Sequence, residues 1–197
     1  MSHQVKIIAI TGGIGSGKSV VSQILRKIGY SVYDSDTKAK QLMDNSVTIK
    51  NEIREKINSG VIENDGTINR KKLSEIVFND AEKLNILNHI VHSAVRNDLR
   101  KYVKQCDCSV AFVETAILYQ SEIDRMVDIV WDVTAPVDVR IKRVMKRNSI
   151  TSEEVQKRIK SQEYTPEKLH KKIMQIINDD KIAILPRIET LLSDVTS

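Results

Sequence analysis

Short apolar runs alternate along this chain with longer stretches in which apolar residues recur at helical spacing. The runs predict five β-strands, at residues 6–11, 31–34, 109–114, 127–134 and 174–178. Each run is only a handful of residues long, as is typical of strands in a parallel sheet that is covered on both faces. A helix is predicted from Gly17 to Ile28, and Gly29 suits the left-handed backbone that follows a helix. This alternation predicts an α/β fold in which a parallel five-stranded sheet is flanked by helices.

A long stretch between the second and third predicted strands, residues 37–108, has no convincing strand pattern. Ile49, Ile53 and Ile57 recur there at helical spacing, as do apolar residues further along. We therefore expect a mostly helical lobe at this point in the chain. A second helical segment is predicted from Pro136 to about Tyr164.

Composition and charge narrow the class of protein. The 197 residues suit one compact domain with an inserted lobe, and the 41% hydrophobic content can fill a core. The net charge is +5, but lysine and arginine are spread along the predicted helices and form no single block. We therefore expect a polyanionic small molecule as the ligand, with no nucleic-acid partner. No signal peptide and no 18-residue apolar run occurs, so we expect a cytoplasmic protein without a membrane partner.

The chain has two cysteines, Cys106 and Cys108, with one residue between them. No second pair of cysteines and no nearby histidine completes a zinc-binding pattern. We therefore expect incidental cytosolic thiols.

The first predicted strand leads directly into a glycine-rich segment that fits the phosphate-loop pattern G-x-x-x-x-G-K-[ST] at residues 12–19. Glycines allow the tight turn, its backbone N–H groups can surround phosphate oxygens, and the following helix adds its positive dipole end. Lys18 is expected to reach the β- and γ-phosphates, and the hydroxyl of Ser19 to bind Mg²⁺. We assign nucleotide binding to Gly13, Ile14, Gly15, Ser16, Gly17, Lys18, Ser19 and Val20.

Acidic residues follow the second and third predicted strands. Asp34 and Asp36 come at the end of one, and Glu114 ends the other. Ligands of open α/β sheets bind outside the carboxyl ends of the strands, so either aspartate could accept the proton of a substrate hydroxyl. Asp36 could equally cap a helix that begins near Thr37. Glu114 is predicted to hold Mg²⁺, although a charged group entering solvent is the alternative.

The arginines and histidines indicate a function less clearly than the phosphate loop does. Arg140, Arg143 and Arg147 share one helix face, where they could clamp phosphates or form a solvated basic surface. His89 and His92 have a spacing that occurs at metal sites, but no further ligand accompanies them. For these two histidines, packing or contact with a substrate phosphate is the favoured interpretation.

Together these features resemble the dephospho-coenzyme A kinase family over most of the chain. Residues 11–19 are that family's form of the phosphate loop, and Asp34-Ser35-Asp36 corresponds to its Asp-Ala-Asp. The family pattern D-G-x-I-x-R-x-x-L-x-x-x-V-F appears as Asp65-Gly66-Thr67-Ile68-Asn69-Arg70 followed by Leu73, Val77 and Phe78. This block distinguishes the family from other P-loop kinases.

Other parts of the family pattern are altered. The segment from Glu114 to Gln120 matches D-I-P-L-L-F-E without its proline and final glutamate. The arginines at 140, 143 and 147 resemble Q-x-x-R-x-x-x-R, with arginine in place of the glutamine. Gln162 matches the family's glutamine after the lid helix, and His92 stands where the family has His-Pro. The adenine-side motif A-D-x-V-I-x-N is largely lost around residues 175–179.

The resemblance implies that ATP phosphorylates the ribose 3′-hydroxyl of dephospho-coenzyme A, giving coenzyme A and ADP, with Mg²⁺ as cofactor. It also implies an adenylate-kinase-like architecture. Its parts are a nucleotide core (residues 1–36, 104–137 and 163–197), a helical substrate lobe (37–103) and a lid (138–162). Catalytic roles are expected for Asp36 as base and for Lys18, Arg143 and Arg147. Substrate contacts are expected from Asp34, Asp36, Arg70, His92 and Leu118. We expect a monomer or a weak homo-oligomer.

Three other classes stay open at this stage. A nucleic-acid-binding module is suggested only by the basic net charge, and no aromatic-rich basic patch supports it. A nucleoside or shikimate-type kinase would share the same core, although the block from Asp65 to Phe78 argues against it. A nucleotide-dependent switch protein would need no phosphoryl acceptor, and the guanine motif N-K-x-D of GTP-specific chains does not occur.

Overall fold

The computed structural model describes residues 5–161 and 169–196. The strands are β1 (Lys6–Thr11), β2 (Val32–Asp34), β3 (Val110–Glu114), β4 (Ile129–Thr134) and β5 (Ile173–Ile177). The helices are α1 (Lys18–Lys27), α2 (Ser35–Asn45), α3 (Val47–Lys56), α4 (Arg70–Phe78), α5 (Ala81–Gln105), α6 (Val137–Asn148), α7 (Ser152–Ser161) and α8 (Leu185–Thr196). None of these described helices is long and apolar enough to cross a bilayer.

The strands form one parallel sheet in the order β2-β3-β1-β4-β5. The predicted fold class, a parallel five-stranded sheet flanked by helices, is therefore confirmed, and every strand lies within two residues of its predicted bounds. β1 lies between β3 and β4, with Ile10 level with Glu114 and Thr11 level with Asp132. The phosphate loop therefore leaves the sheet beside the carboxyl ends of two other strands.

The main core lies on the face of the sheet that α1 and α8 cover. Ile8 and Ile10 of β1 and Trp131 and Val133 of β4 pack there with Val21 of α1. Successive residues of a strand point to opposite faces, so Val130 and Asp132 of β4 lie on the other face. The strand is apolar at four of its six positions because both faces are covered, and Asp132 is its only charged residue.

Residues 35–104 form a compact helical unit, distinct from the unit that contains the sheet. Its own core includes Ile49, Ile53 and Ile57, the residues whose spacing predicted a helix. Within this unit the described β-structure is one isolated bridge between Ile62 and Ile68. The expected lobe of residues 37–103 has nearly the same limits.

The predicted helical segment from Pro136 to Tyr164 is divided into α6 and α7. Ser149 follows α6 in the left-handed conformation (φ 52°), which ends the helix, and α7 begins three residues later. The left-handed backbone conformation is most often adopted by glycine, so the serine at this position did not indicate that the helix ends here. Tyr164 lies outside the described residues.

The two cysteines form a disulfide with each other, Cys106 to Cys108, in the segment that joins α5 to β3. The expectation of incidental free thiols is therefore wrong for this structure. The segment precedes β3, so it belongs to the amino end of that strand and not to the end from which Glu114 projects.

Candidate active site

Close contacts explain the glycines at positions 12 and 17 of the phosphate loop. A Cβ at Gly12 would lie 2.1 Å from the carbonyl oxygen of Val133, and φ at Gly12 is 142°. A Cβ at Gly17 would lie 2.0 Å from Nδ2 of Asn178, and φ there is 99°. Any other L-residue at these positions would meet both a strained backbone and a neighbour. Only glycine therefore fits at these two positions of the loop.

The loop presents unpaired donors at the start of α1. The N–H of Ser16 donates to the Gly13 carbonyl at 3.1 Å, which closes the turn. In the described part of the chain, the N–H groups of Gly15, Gly17 and Ser19 donate to no protein acceptor. No acidic residue occupies the first turn of α1. These donors and the positive end of the helix dipole can together bind an anion.

The side chain of Lys18 lies against the phosphate loop. Its Nζ donates to the carbonyl oxygen of Gly12 at 2.6 Å and to that of Gly13 at 3.4 Å. The ammonium group is thus held beside the donors of the loop, where it adds a full positive charge to their partial charges.

The structure brings together the two residues predicted to hold a metal ion. Oγ of Ser19 donates to Oε1 of Glu114 at 3.1 Å, and Asp34 is level with Glu114 across the β2–β3 pair. Residues 5–161 and 169–196 contain no group of three or more His, Cys, Asp or Glu side chains that could hold a metal ion. Hydroxyl and carboxylate oxygens nevertheless suit Mg²⁺, which usually takes one or two protein ligands and keeps several waters.

Arg143 contacts the loop differently from the prediction. Its Nη1 donates to the carbonyl oxygens of Gly15 (3.2 Å) and Ser16 (3.3 Å), and its Nη2 donates to both oxygens of Asn178 (3.0 and 3.1 Å). The same guanidinium forms an ion pair with Asp180. Through these contacts Arg143 supports the shape of the loop in this structure, and its predicted contact with phosphates stays a prediction.

The other two arginines of this helix face lie differently. Nε of Arg140 donates to the carbonyl oxygen of Ile14 at 2.8 Å, and its Nη2 would be 2.3 Å from a Cβ at Gly13. Arg147 is exposed, and its described hydrogen bond goes to the neighbouring Asn148. Arg140 is therefore beside the loop, whereas Arg147 retains an accessible guanidinium.

Asn178 is a site residue that the sequence analysis missed. It is 8% exposed, and its Nδ2 donates to the carbonyl oxygen of Ser16 at 2.9 Å. With Arg143 it connects the end of β5 to the phosphate loop. The asparagine of the altered adenine-side motif was a signal, because that motif keeps its final residue here. Gln162, matched to the family after the lid, lies outside the described residues.

The helical unit contains three of the predicted substrate residues. Asp36 is exposed in the first turn of α2, which begins at Ser35, so it does not precede the helix as a cap. Arg70 begins α4 and forms an ion pair with Asp44 at 2.6 Å. His92 is partly buried on α5.

Leu118, another of the five predicted substrate residues, is buried in the sheet unit and lines a cavity of about 190 Å³. Asp132 also lines this cavity, on the face of the sheet opposite α1. Burial raises the pKa of the Asp132 carboxyl, and the nearby charge of Lys18 opposes that rise. The sequence offered one signal for Asp132, a single charged residue inside an apolar strand.

Comparison with known proteins is consistent with this geometry. A protein-family model described as CoaE, dephospho-CoA kinase, matches residues 6–183. The curated dephospho-CoA kinase of Porphyromonas gingivalis is 39% identical over 156 residues, which are 79% of this chain and 77% of that protein. The curated enzyme of the same name from Carboxydothermus hydrogenoformans is 32% identical over 190 residues, 95% of this chain and 91% of that protein. The solved dephospho-CoA kinase of Campylobacter jejuni is 25% identical, covers 98% of both chains and has a TM-score of 0.69.

Proposed function

Because the chain belongs to the dephospho-CoA kinase family, we propose that it transfers the γ-phosphoryl group of ATP to the ribose 3′-hydroxyl of dephospho-coenzyme A. The products are coenzyme A and ADP. The bond between the γ-phosphorus and the β,γ-bridging oxygen breaks, a bond forms between that phosphorus and the 3′-oxygen, and the hydroxyl proton leaves.

The phosphate loop binds the triphosphate in this proposal. The unpaired N–H groups of Gly15, Gly17 and Ser19 donate to phosphate oxygens, and Lys18 exchanges its bonds to the Gly12 and Gly13 carbonyls for the β- and γ-phosphates. This exchange costs little because the ammonium group moves from one set of oxygens to another nearby. Phosphoryl transfer needs mainly positioning and charge stabilisation, and both are available here.

Ser19 and Glu114 are the residues that would hold Mg²⁺. Their contact at 3.1 Å supports this assignment, because two hard oxygen donors already lie side by side next to the phosphate loop. Bound there, the ion would neutralise charge on the β- and γ-phosphates. Glu114 is held at the end of a buried strand, so its carboxylate is positioned by the sheet.

We assign the general base to Asp36. It follows β2 by two residues and is exposed, so its carboxylate can accept a proton from the acceptor hydroxyl. Asp34, Arg70, His92 and Leu118 are assigned to binding the acceptor. The ion pair of Arg70 with Asp44 would hold that guanidinium in place.

Positive charge opposite the transferred group is assigned to Arg147 together with Arg140, and Arg143 is assigned to holding the loop. We propose that α6 and α7 act as the lid, that residues 37–103 bind the acceptor, and that closure excludes water so that ATP is not hydrolysed. We also propose a cytoplasmic monomer or weak homo-oligomer with small-molecule substrates only.

The observation that carries the proposed function is the phosphate loop with its unpaired donors beside the Ser19–Glu114 pair. A coupled assay of ADP release tests it, with dephospho-coenzyme A compared with adenosine and other nucleosides. We expect turnover with dephospho-coenzyme A far above that with any nucleoside. Equal turnover with a nucleoside, or none with dephospho-coenzyme A, would contradict the assignment.

The two roles given to the arginines of α6 can be separated by mutation. Arg147→Ala is expected to lower kcat by about 10- to 1,000-fold, because an arginine supplied to a phosphoryl transition state contributes strongly. Its melting temperature should hardly change, since surface substitutions usually cost under about 0.5 kcal/mol. Arg143→Ala should instead lower the free energy of unfolding by about 2–3 kcal/mol, because charged hydrogen bonds to Gly15, Ser16 and Asn178 are lost.

Kinetics and thermal unfolding of both variants provide the measurement, and each variant is the control for the other. A lower melting temperature with normal kcat in Arg147→Ala would contradict the role given to Arg147. An unchanged free energy of unfolding in Arg143→Ala would contradict the role given to Arg143.

A further inference from the structure

The cavity beside the phosphate loop is lined by a carboxylate, Asp132, that has no role in the proposed reaction. It lies at the carboxyl ends of β1 and β4, on the face of the sheet opposite α1. Its lining includes Gly12, Gly13, Leu118, Val130, Asp132, Leu169 and Ile173. Pockets that enclose a drug-sized ligand measure roughly 300–1,000 Å³. At about 190 Å³, this cavity suits one segment of a larger ligand.

Its lining is apolar apart from a few groups, of which Asp132 matters most. In the described part of the chain the Asp132 carboxyl accepts no hydrogen bond, although it is partly buried. A partly buried carboxyl without a donor is costly, and a ligand N–H or O–H group would relieve that cost. Aliphatic side chains of Leu118, Val130 and Ile173 suit the carbon atoms of such a ligand.

The position of the cavity limits what can enter it. Gly12 and Gly13 belong both to the cavity wall and to the phosphate loop, so a ligand segment here is close to the phosphates. Ile173 is level with Val130, two residues before Asp132 on β4. The cavity therefore extends from the loop past Asp132 towards β5.

We propose that this cavity binds the pantetheine arm of dephospho-coenzyme A, with Asp132 accepting a hydrogen bond from the arm. The arm is uncharged and linear, with amide N–H groups, a hydroxyl, methyl and methylene carbons and a terminal thiol. It enters beside Gly12 and Gly13, and its thiol end lies towards Leu169 and Ile173. This inference rests on the proposed function and adds a residue that selects the acceptor.

Kinetics of Asp132→Asn distinguish this role from an action through Lys18. The substitution keeps the shape but weakens the acceptor, so KM for dephospho-coenzyme A should rise about tenfold, a change of about 1.4 kcal/mol. KM for ATP and inhibition by free AMP, which lacks the arm, should not change. Equal increases in KM for both substrates would mean that Asp132 acts through Lys18, and the proposal would be wrong.

Covalent trapping tests the same placement without relying on Asp132. In a background of Cys106→Ser and Cys108→Ser, Ile173→Cys is incubated with the symmetric disulfide of dephospho-coenzyme A. The cysteine thiolate attacks that disulfide, forms a mixed disulfide and releases one thiolate of dephospho-coenzyme A. Intact mass spectrometry measures the rate of labelling.

The matched control is Ile177→Cys, which is on the same strand and the same face but does not line the cavity. Labelling at position 173 should be at least tenfold faster and should be suppressed by S-methylpantetheine, which has the arm but no free thiol to reduce the disulfide. Equal rates at positions 173 and 177 would overturn the proposal. Failure of the wild-type enzyme to phosphorylate dephospho-coenzyme A would instead overturn the proposed function, so the two failures can be told apart.

Discussion

Replacing Asp36 with asparagine is expected to lower kcat by about 10²- to 10⁴-fold, the usual contribution of a positioned general base. The side chain is exposed in the first turn of α2, so the variant should fold normally. The Kd for ATP should stay nearly the same, because the phosphate loop and Lys18 are unchanged. Single-turnover kinetics with dephospho-coenzyme A, together with ATP titration, measure the two effects separately.

Asp34→Asn is the matched control for this experiment. It changes the other aspartate of the same Asp-Ser-Asp segment, which ends β2 level with Glu114. We expect a smaller loss of kcat and a larger increase in KM for the acceptor. Normal turnover in Asp36→Asn would remove that residue from the role of base, and a greater loss in Asp34→Asn would transfer the role to Asp34.

The parts of the fold that could be predicted are those with local signals. Apolar runs fixed the positions of the strands, because a strand buried on both faces shows its whole length as apolar sequence. The phosphate loop could also be predicted from the sequence, because glycine is required wherever a side chain would collide with a neighbour, as at Gly12 and Gly17. Ser19 and Glu114 could be paired because both follow strand ends at the same edge of a parallel sheet.

The features that the sequence did not predict depend on which segments, far apart in the chain, lie next to each other in the fold. Arg143 was assigned to phosphates from helical spacing, but its partners lie on the loop and at the end of β5. Asn178 contacts Ser16 only because α1 and the last strand meet at the same edge, which no local pattern reveals. The cavity at Asp132 likewise requires β1 to lie between β3 and β4. The roles of side chains that contact a different strand or loop therefore could not be predicted without knowing the order of the strands in the sheet.

The contact between Gly17 and Asn178 predicts a large loss in Gly17→Ala. The new methyl group would require the left-handed backbone, which costs an L-residue about 1–2 kcal/mol. It would also collide with Nδ2 of Asn178, 2.0 Å away, and break the hydrogen bond from that atom to Ser16. Losing a buried hydrogen bond costs a further amount of about 1–3 kcal/mol. We expect the free energy of unfolding to fall by about 2–5 kcal/mol from these two costs together.

Gly29→Ala separates these two costs. Gly29 has nearly the same backbone angle (φ 98°), but nothing lies within 4 Å of a Cβ placed there. It should therefore lose only the backbone cost of about 1–2 kcal/mol and keep its affinity for ATP. Gly17→Ala should in addition bind ATP at least about tenfold more weakly, since the displaced loop no longer aligns its donors.

Chemical denaturation and ATP titration of both variants, with Asn178→Ala added to each, complete the test. If the collision is the cause, Asn178→Ala makes room for the new methyl group, and the double variant at positions 17 and 178 is less destabilised than the sum of its single changes. The same addition to Gly29→Ala should be additive, because the two positions share no contact. Equal losses in Gly17→Ala and Gly29→Ala, with ATP binding unchanged in both, would show that the loop tolerates a side chain beside Asn178.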